Sequence, residues 1–194
     1  MKEVYSLLKK ATLSLLIFAV VLCGVYPLLV WGVGQLLFPN KANGSLLFDK
    51  QGTAIGSKLI GENFSAAKYF HPRPSYAGSA GYDGTNSSAS NFGPTSKKIE
   101  KALRLRAEEY RKTNNIGEEI LLPIDAVTSS GSGLDPHISI ENALLQLPRV
   151  AKARGVSSTA LKKLLKNMTE NRSLGILGEP RINVLLLNLK LDEL

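Results

Sequence analysis

Residues 11 to 40 read ATLSLLIFAVVLCGVYPLLVWGVGQLLFPN and contain no charged side chain. About 20 apolar residues, rising ~1.5 Å each, cross a ~30 Å hydrocarbon layer. The run is therefore long enough for one membrane-spanning helix, expected over 11–38. A cleaved export signal carries an apolar region of about 7–15 residues followed by a small-x-small site. This run is longer and no A-x-A follows it, so a retained anchor is the reading. Cys23 follows Leu22 rather than the small residue that a lipoprotein signal uses. Ala19 and Cys23 form a small-xxx-small pair that lets helices approach closely, and Pro27 frees a carbonyl that neighbouring helices can satisfy.

Lys2, Lys9 and Lys10 precede the run, with Glu3 as the one acid. Lys41, Asp49 and Lys50 follow it. Lys and Arg favour the cytoplasmic flank of a span. Residues 1–10 are thus expected in the cytoplasm and residues 39–194 outside, as a single soluble domain. Tyr5 at one end, and Tyr26 and Trp31 towards the other, suit the two interfaces where amphipathic rings settle.

The only cysteine lies in the apolar run, so the external domain is held by packing without a disulfide. About 155 residues suffice for one core. Beyond residue 40 bases exceed acids by six. That excess suits anionic lipid or an acidic partner. Nucleic acid is excluded as a partner, because the bases are intermixed with acids and no recognition motif or zinc-ligand spacing occurs.

Along the domain, Ser45–Phe48 and Ile55–Ile60 read as two strands flanking the turn Asp49-Lys50-Gln51-Gly52. Residues 71–94, HPRPSYAGSAGYDGTNSSASNFGP, cannot bury enough apolar surface for a core of their own. Tyr69, Phe70, Tyr76, Tyr82 and Phe92 are spread through and around it, so it reads as an ordered, irregular loop packed on the domain or on a partner. A helix is expected from Thr95, with Ile99, Leu103, Ala107 and Tyr110 on one face and a stop at Asn114–Gly117. Ser139 caps a second helix, interrupted at Pro148 and closed by Gly155. Ser157 opens a third, with Leu161, Leu164, Leu165 and Met168 as its buried stripe. The alternating leucines of 181–191 read as a buried strand. Strands and helices do not alternate strictly, which makes the fold class α+β.

The block Thr128-Ser129-Ser130-Gly131-Ser132-Gly133-Leu134-Asp135-Pro136-His137 holds Ser, Asp and His together, so an anchored external hydrolase using Ser132 and His137 is conceivable. The elbow G-x-S-x-G is absent, however, and the short spacing suits local turns better than a triad. His71 and His137 are the only histidines and lie far apart, which gives no metal-ligand set. No G-x-x-x-x-G-K-[ST] loop is present, nor the Asp-Lys-Thr-Gly phosphorylation motif of P-type pumps. An envelope-binding module remains a further alternative.

Val127–Ser139 and Leu177–Leu185, with Glu179, Pro180 and Arg181 at the centre of the second block, strongly resemble the C component of the bacterial potassium-transporting P-type ATPase, the Kdp system. Tyr69-Phe70 with Arg73-Pro74-Ser75, then Ser90-Asn91-Phe92-Gly93-Pro94, and Arg149–Gly155 resemble three more blocks of that family, in the same order behind an N-terminal span. The resemblance implies a non-catalytic accessory subunit of a high-affinity, ATP-driven potassium uptake complex. Such a subunit sits in the bacterial inner membrane as a single-pass protein. Its partners are a channel-like potassium-binding subunit and a P-type subunit that hydrolyses ATP; the family is described as a catalytic chaperone. No cofactor is expected on this chain, ATP being bound by the catalytic subunit. Tyr69, Phe70, Arg73, Tyr76, Tyr82, Asn91 and Phe92 become candidate partner contacts. Ser130, Gly131, Ser132, Gly133, Asp135, Pro136, His137, Glu179, Pro180 and Arg181 become a candidate structural motif.

Overall fold

The computed structural model describes residues 1–194, which form two compact units, Met1–Ile55 and Gly56–Leu194. In the first unit one helix, α1, runs over Lys2–Leu37 and is long and apolar enough to cross a membrane. Its middle, Val20–Val25, is π-helical, and the Tyr26 N–H donates to the Val21 carbonyl five residues back. Pro27 explains the position of this widened turn. It has no N–H to offer the Cys23 carbonyl, so the ladder cannot run through in α register. A short turn of helix, α2 (Pro39–Ala42), follows, and then the strands β1 (Leu46–Phe48) and β2 (Ala54–Ser57) pair as a hairpin. The Asp49 carboxylate closes the turn by accepting from the Gln51 and Thr53 N–H groups. The second strand starts one residue earlier than expected and stops at Ser57, where the Ser57 hydroxyl accepts from Leu59 N–H and turns the chain.

The second unit is α+β. Its sheet has the order β3 (His137–Ser139), β5 (Arg181–Asn183), β4 (Thr169–Glu170), all antiparallel, with Ile182 opposite both Ile138 and Thr169. Four helices complete the unit: α3 (Lys97–Asn114), α5 (Ile140–Arg154), α6 (Ser158–Met168) and α7 (Val184–Leu191), with a single turn, α4 (Ile124–Val127), between α3 and β3. Phe70, Ile138, Leu147, Val150, Leu161, Leu165, Ile182, Leu187 and Leu191 meet in one core. Fully burying such a side chain is worth roughly 1.5–3 kcal/mol, and these contacts join both sheet and helices.

The caps sit where the side chains demand them. Ser96, Ser139 and Ser157 accept from the N–H groups of Lys98, Asn142 and Ala160 at the starts of α3, α5 and α6. Asn115 (φ +53°) and Gly155 (φ +67°) end α3 and α5 in the left-handed conformation.

Two expectations need correction. Residues 181–191 are not one strand. The strand ends at Asn183, whose side chain accepts from the Leu186 N–H and starts helix α7. The burial of Val184, Leu187, Asn188 and Leu191 follows helical spacing. A helix enclosed on nearly all sides shows leucines at every register, and a period of two can be read into it. Pro148 does not break α5 either, which runs unbroken from Ile140 to Arg154. Pro148 and Leu144 both lie on the exposed side, so water can take the Leu144 carbonyl that the missing N–H leaves free.

Candidate functional site

Residues 71–94 contain no regular secondary structure, yet they are pinned at many points. The pinning begins just before the segment. The buried Asn188 amide of α7 accepts from the Phe70 N–H (2.9 Å) and donates to the Phe70 carbonyl (2.9 Å). The buried Gln146 amide of α5 does the same for His71, at 2.7 and 3.0 Å. Two successive residues are thus held by side-chain amides in place of a strand partner, which answers the demand that buried backbone groups be paired. Arg149 completes this anchor. Its guanidinium donates to Asn114, Gln146 and the carbonyls of Ala67 and Tyr69. Burial lowers its pKa.

The rest of the segment leans on the block 128–137. Five consecutive carbonyls of that block accept hydrogen bonds from outside it. Ser132 takes the Ser88 N–H and Ser87 hydroxyl, Gly133 the Ser75 hydroxyl (2.6 Å), and Leu134 the Gly61 N–H. Asp135 takes the Tyr82 hydroxyl (3.5 Å), and Pro136 takes the Val184 N–H of α7. Within the block, the Ser130 and Ser132 hydroxyls accept from Gly133 and Leu134 N–H and shape the turns. Gly131 is exposed at the turn's outside, whereas Gly133 is buried with φ +69°. A Cβ at Gly133 would lie 2.5 Å from the Ser88 carbonyl oxygen. The block therefore bridges the irregular segment to the sheet and α7.

Charge runs along the same bridge. Arg73 pairs with Asp135 at 2.9 Å, and the His137 ring nitrogens face Asp135 (3.2 Å) and Glu170 (3.6 Å). Glu170 in turn pairs with Arg181 at 3.1 Å. Burial alone would raise the Asp135 pKa, but hydrogen bonds from His137 and the nearby Arg73 charge outweigh it and hold the carboxyl below its ordinary value. Ser132 Oγ and His137 engage different partners, so the pair is arranged for turn-making and charge linkage. Glu179 pairs with Arg172 within the β4–β5 connection, with half-buried Pro180 between it and Arg181.

The candidate contacts separate by position. Phe70 is fully buried in the core and has no surface to offer a partner. The Tyr82 ring packs on Gly61 and its hydroxyl donates to the Arg73 carbonyl at 2.9 Å. Burial, with Asp135 nearby, pushes its pKa up. Tyr82 is thus an internal brace. Tyr69 donates to Asp192 and lies 5.0 Å beneath both the Arg154 and Lys68 cations. Tyr76 and Phe92 meet edge to face at 6.1 Å, and the Arg106 guanidinium of α3 stacks on Tyr76 at 4.9 Å. Asn91 is exposed with φ +51° and turns the chain beside Phe92. A cleft of about 450 Å³ opens beside this group, lined in part by His71, Arg73, Tyr82, Arg106 and Tyr110.

Sequence reasoning missed Asn188, Gln146 and Asp125. The first two stand out as lone amides in apolar runs, VLLLNLKL and ALLQLP. Asp125 accepts from Ser139 N–H, Ser139 Oγ and Asn142, so it holds the start of α5.

The family described as KdpC, K+-transporting ATPase, c chain, matches residues 8–193. The potassium-transporting ATPase KdpC subunit of Mycobacterium tuberculosis (strain H37Rv) is 55% identical over 184 residues, 95% of this chain and 96% of that protein. The subunit of the same name from Geobacter sulfurreducens is 49% identical over 187 residues, 96% and 97% of the two chains. That from Myxococcus xanthus is 51% identical over 178 residues, 91% and 83%. The motif blocks, the apolar N-terminal helix and a match along nearly the whole length agree, and the chain belongs to the KdpC family of potassium-transporting ATPase subunits.

Proposed function

We propose that this chain is the single-pass accessory subunit of a high-affinity potassium uptake complex in a bacterial inner membrane, bound to a channel-like potassium-binding subunit and to an ATP-hydrolysing P-type subunit. In this reading residues 1–10 are cytoplasmic, 11–38 span the bilayer and 39–194 lie outside. The charge bias, Lys2, Lys9 and Lys10 with Glu3 before the uncharged run against Lys41, Asp49 and Lys50 after it, supports that orientation. The catalytic-chaperone role then acts through the assembly. ATP stays on the P-type subunit, and this chain stabilises the complex from the external face.

One observation carries the reading beyond family membership. The irregular segment 71–94 is braced throughout by side chains and carbonyls of its own domain, yet it leaves Tyr76, Phe92 and the stacked Arg106 grouped and only half-buried. Aromatic and Arg groupings on a rigid support are the usual carriers of interface energy. Tyr76→Ala with Phe92→Ala is expected to reduce recovery of the partner subunits in a mild-detergent pull-down. Any loss of domain stability is read separately in a thermal melt of the same protein. Full recovery of the complex with the double variant would remove this patch from the interface.

A further inference from the structure

The hairpin that follows α1 leaves an apolar face uncovered. Leu46 and Phe48 point to the same side of β1 by the alternation of a strand, and they are 47% and 59% exposed. Leu47, on the other side, is half-buried. Leu36, Leu37 and Phe38 at the end of α1 are exposed as well, so large apolar side chains lie uncovered on both sides of the reversal at α2.

The stretch is fixed to the helix end. The Gln35 and Asn43 side chains exchange hydrogen bonds at 3.4 and 3.2 Å, and Asn43 also donates to the Pro39 carbonyl at 2.8 Å. Gly34 has no Cβ, and one built there would sit 3.9 Å from Ala42, so α2 folds back closely on the last turn of α1. The reversal is completed at Gly44 (φ +83°) and Ser45 (φ +49°). The clamp holds Asn43, three residues before β1, against the end of α1.

We propose that the Leu46–Phe48 face is a second membrane contact, seated at the headgroup and acyl boundary of the same bilayer that α1 spans. The occupant follows from continuity. The face begins nine residues after Leu37, within the same compact unit as the helix, and the clamp fixes the chain at Asn43 just before it. Charge agrees with lipid. Lys41 lies over the Phe38 ring at 5.9 Å and Lys50 is exposed at the hairpin turn. Asp49, the one acid within residues 39–53, is engaged in closing that turn. Two cations flanking an apolar face match anionic headgroups above acyl chains. A foot of this kind fixes the depth and tilt of a span that has no second helix of its own chain to pack against in the bilayer.

The inference rests on α1 being membrane-inserted, and the test reads both. The full chain is reconstituted into vesicles of phosphatidylethanolamine and phosphatidylglycerol, with an environment-sensitive dye on one cysteine. The native Cys23 reports α1. Phe48→Cys, and independently Leu46→Cys, each in a Cys23→Ala background, report the hairpin. Lipids brominated near the headgroup or deep in the chain, and aqueous iodide, serve as quenchers. The expected result is deep quenching at Cys23, shallow lipid quenching at 46 and 48, and a weaker response there when phosphatidylglycerol is omitted. Deep quenching at Cys23 with iodide access at 46 and 48 would overturn the proposal and leave the anchor standing. Shielding of 46 and 48 from both iodide and brominated lipid would overturn it in favour of a protein contact. Iodide access at Cys23 would overturn the anchor itself.

Discussion

Asn188 and Gln146 show how much rests on single amides. Each satisfies both hydrogen-bonding groups of one residue's backbone, Phe70 or His71, in a region without a neighbouring strand. Removing the Asn188 amide leaves a buried N–H and a buried C=O unpaired at about 1–3 kcal/mol each. Asn188→Ala is therefore expected to lower stability by roughly 2–5 kcal/mol, read by denaturant unfolding of the full chain in detergent. A change under ~1 kcal/mol would show that water replaces the amide. His71 makes a second prediction. Burial, then the Arg149 charge, lowers its pKa from the ordinary 6.5. A histidine kept neutral in the fold contributes stability that is complete above pH 6.5 and is lost as pH falls through the depressed folded value. Stability should fall as pH drops below 6.5, and His71→Gln should flatten that slope; an unchanged slope would assign it elsewhere. None of these pairings was legible beforehand. An amide inside an apolar run announces that it is buried, but nothing local announces which distant stretch of backbone it meets.

At the scale of elements, legibility followed locality. Two helix starts were read from Ser139 and Ser157 because a cap acts on N–H groups three residues on, whereas the helix expected from Thr95 is capped by Ser96, which was not read as a cap. The helix α7 was misread because its environment, not its own sequence, makes leucines buried on nearly every side. The block 128–137 was recognised as turns, as its serines and glycines dictate. Its role as a bridge through five successive carbonyls depends on donors contributed by residues 61, 75, 82, 87, 88 and 184. This brace has one conformational weak point. Gly133 sits at φ +69° with the Ser88 carbonyl and the Ala77 N–H too near for any Cβ. Gly133→Ala must shift backbone rather than a flexible side chain, so a loss on the order of 3 kcal/mol or more is expected. Limited proteolysis should cut first within 75–90 in this variant. Protection equal to the wild type would show that the segment does not depend on the block.

For the whole molecule, the two compact units differ in what holds them. The core side chains, from Phe70 to Leu191, all lie in Gly56–Leu194, as do the amide anchors and the charge bridge. The one cysteine lies in the other unit, so no covalent cross-link is lost by separating them. A fragment of about 139 residues has a length at which single cores are ordinarily self-sufficient. Residues 56–194 alone are thus expected to fold in water, with cooperative unfolding and a melting temperature close to that of the full chain in detergent. An aggregated or non-cooperative fragment would show that the helix and hairpin supply part of the fold. If the proposed role holds, the folded fragment should still lose most of its partners in a pull-down. Anchoring one end in the membrane confines the domain near any partner in the same bilayer, and releasing it forfeits that effective concentration without altering the contact itself. Retention of the complex by the free fragment, at the level of the full chain, would place all the binding energy in residues 56–194 and show that α1 adds nothing to it, not even as a tether.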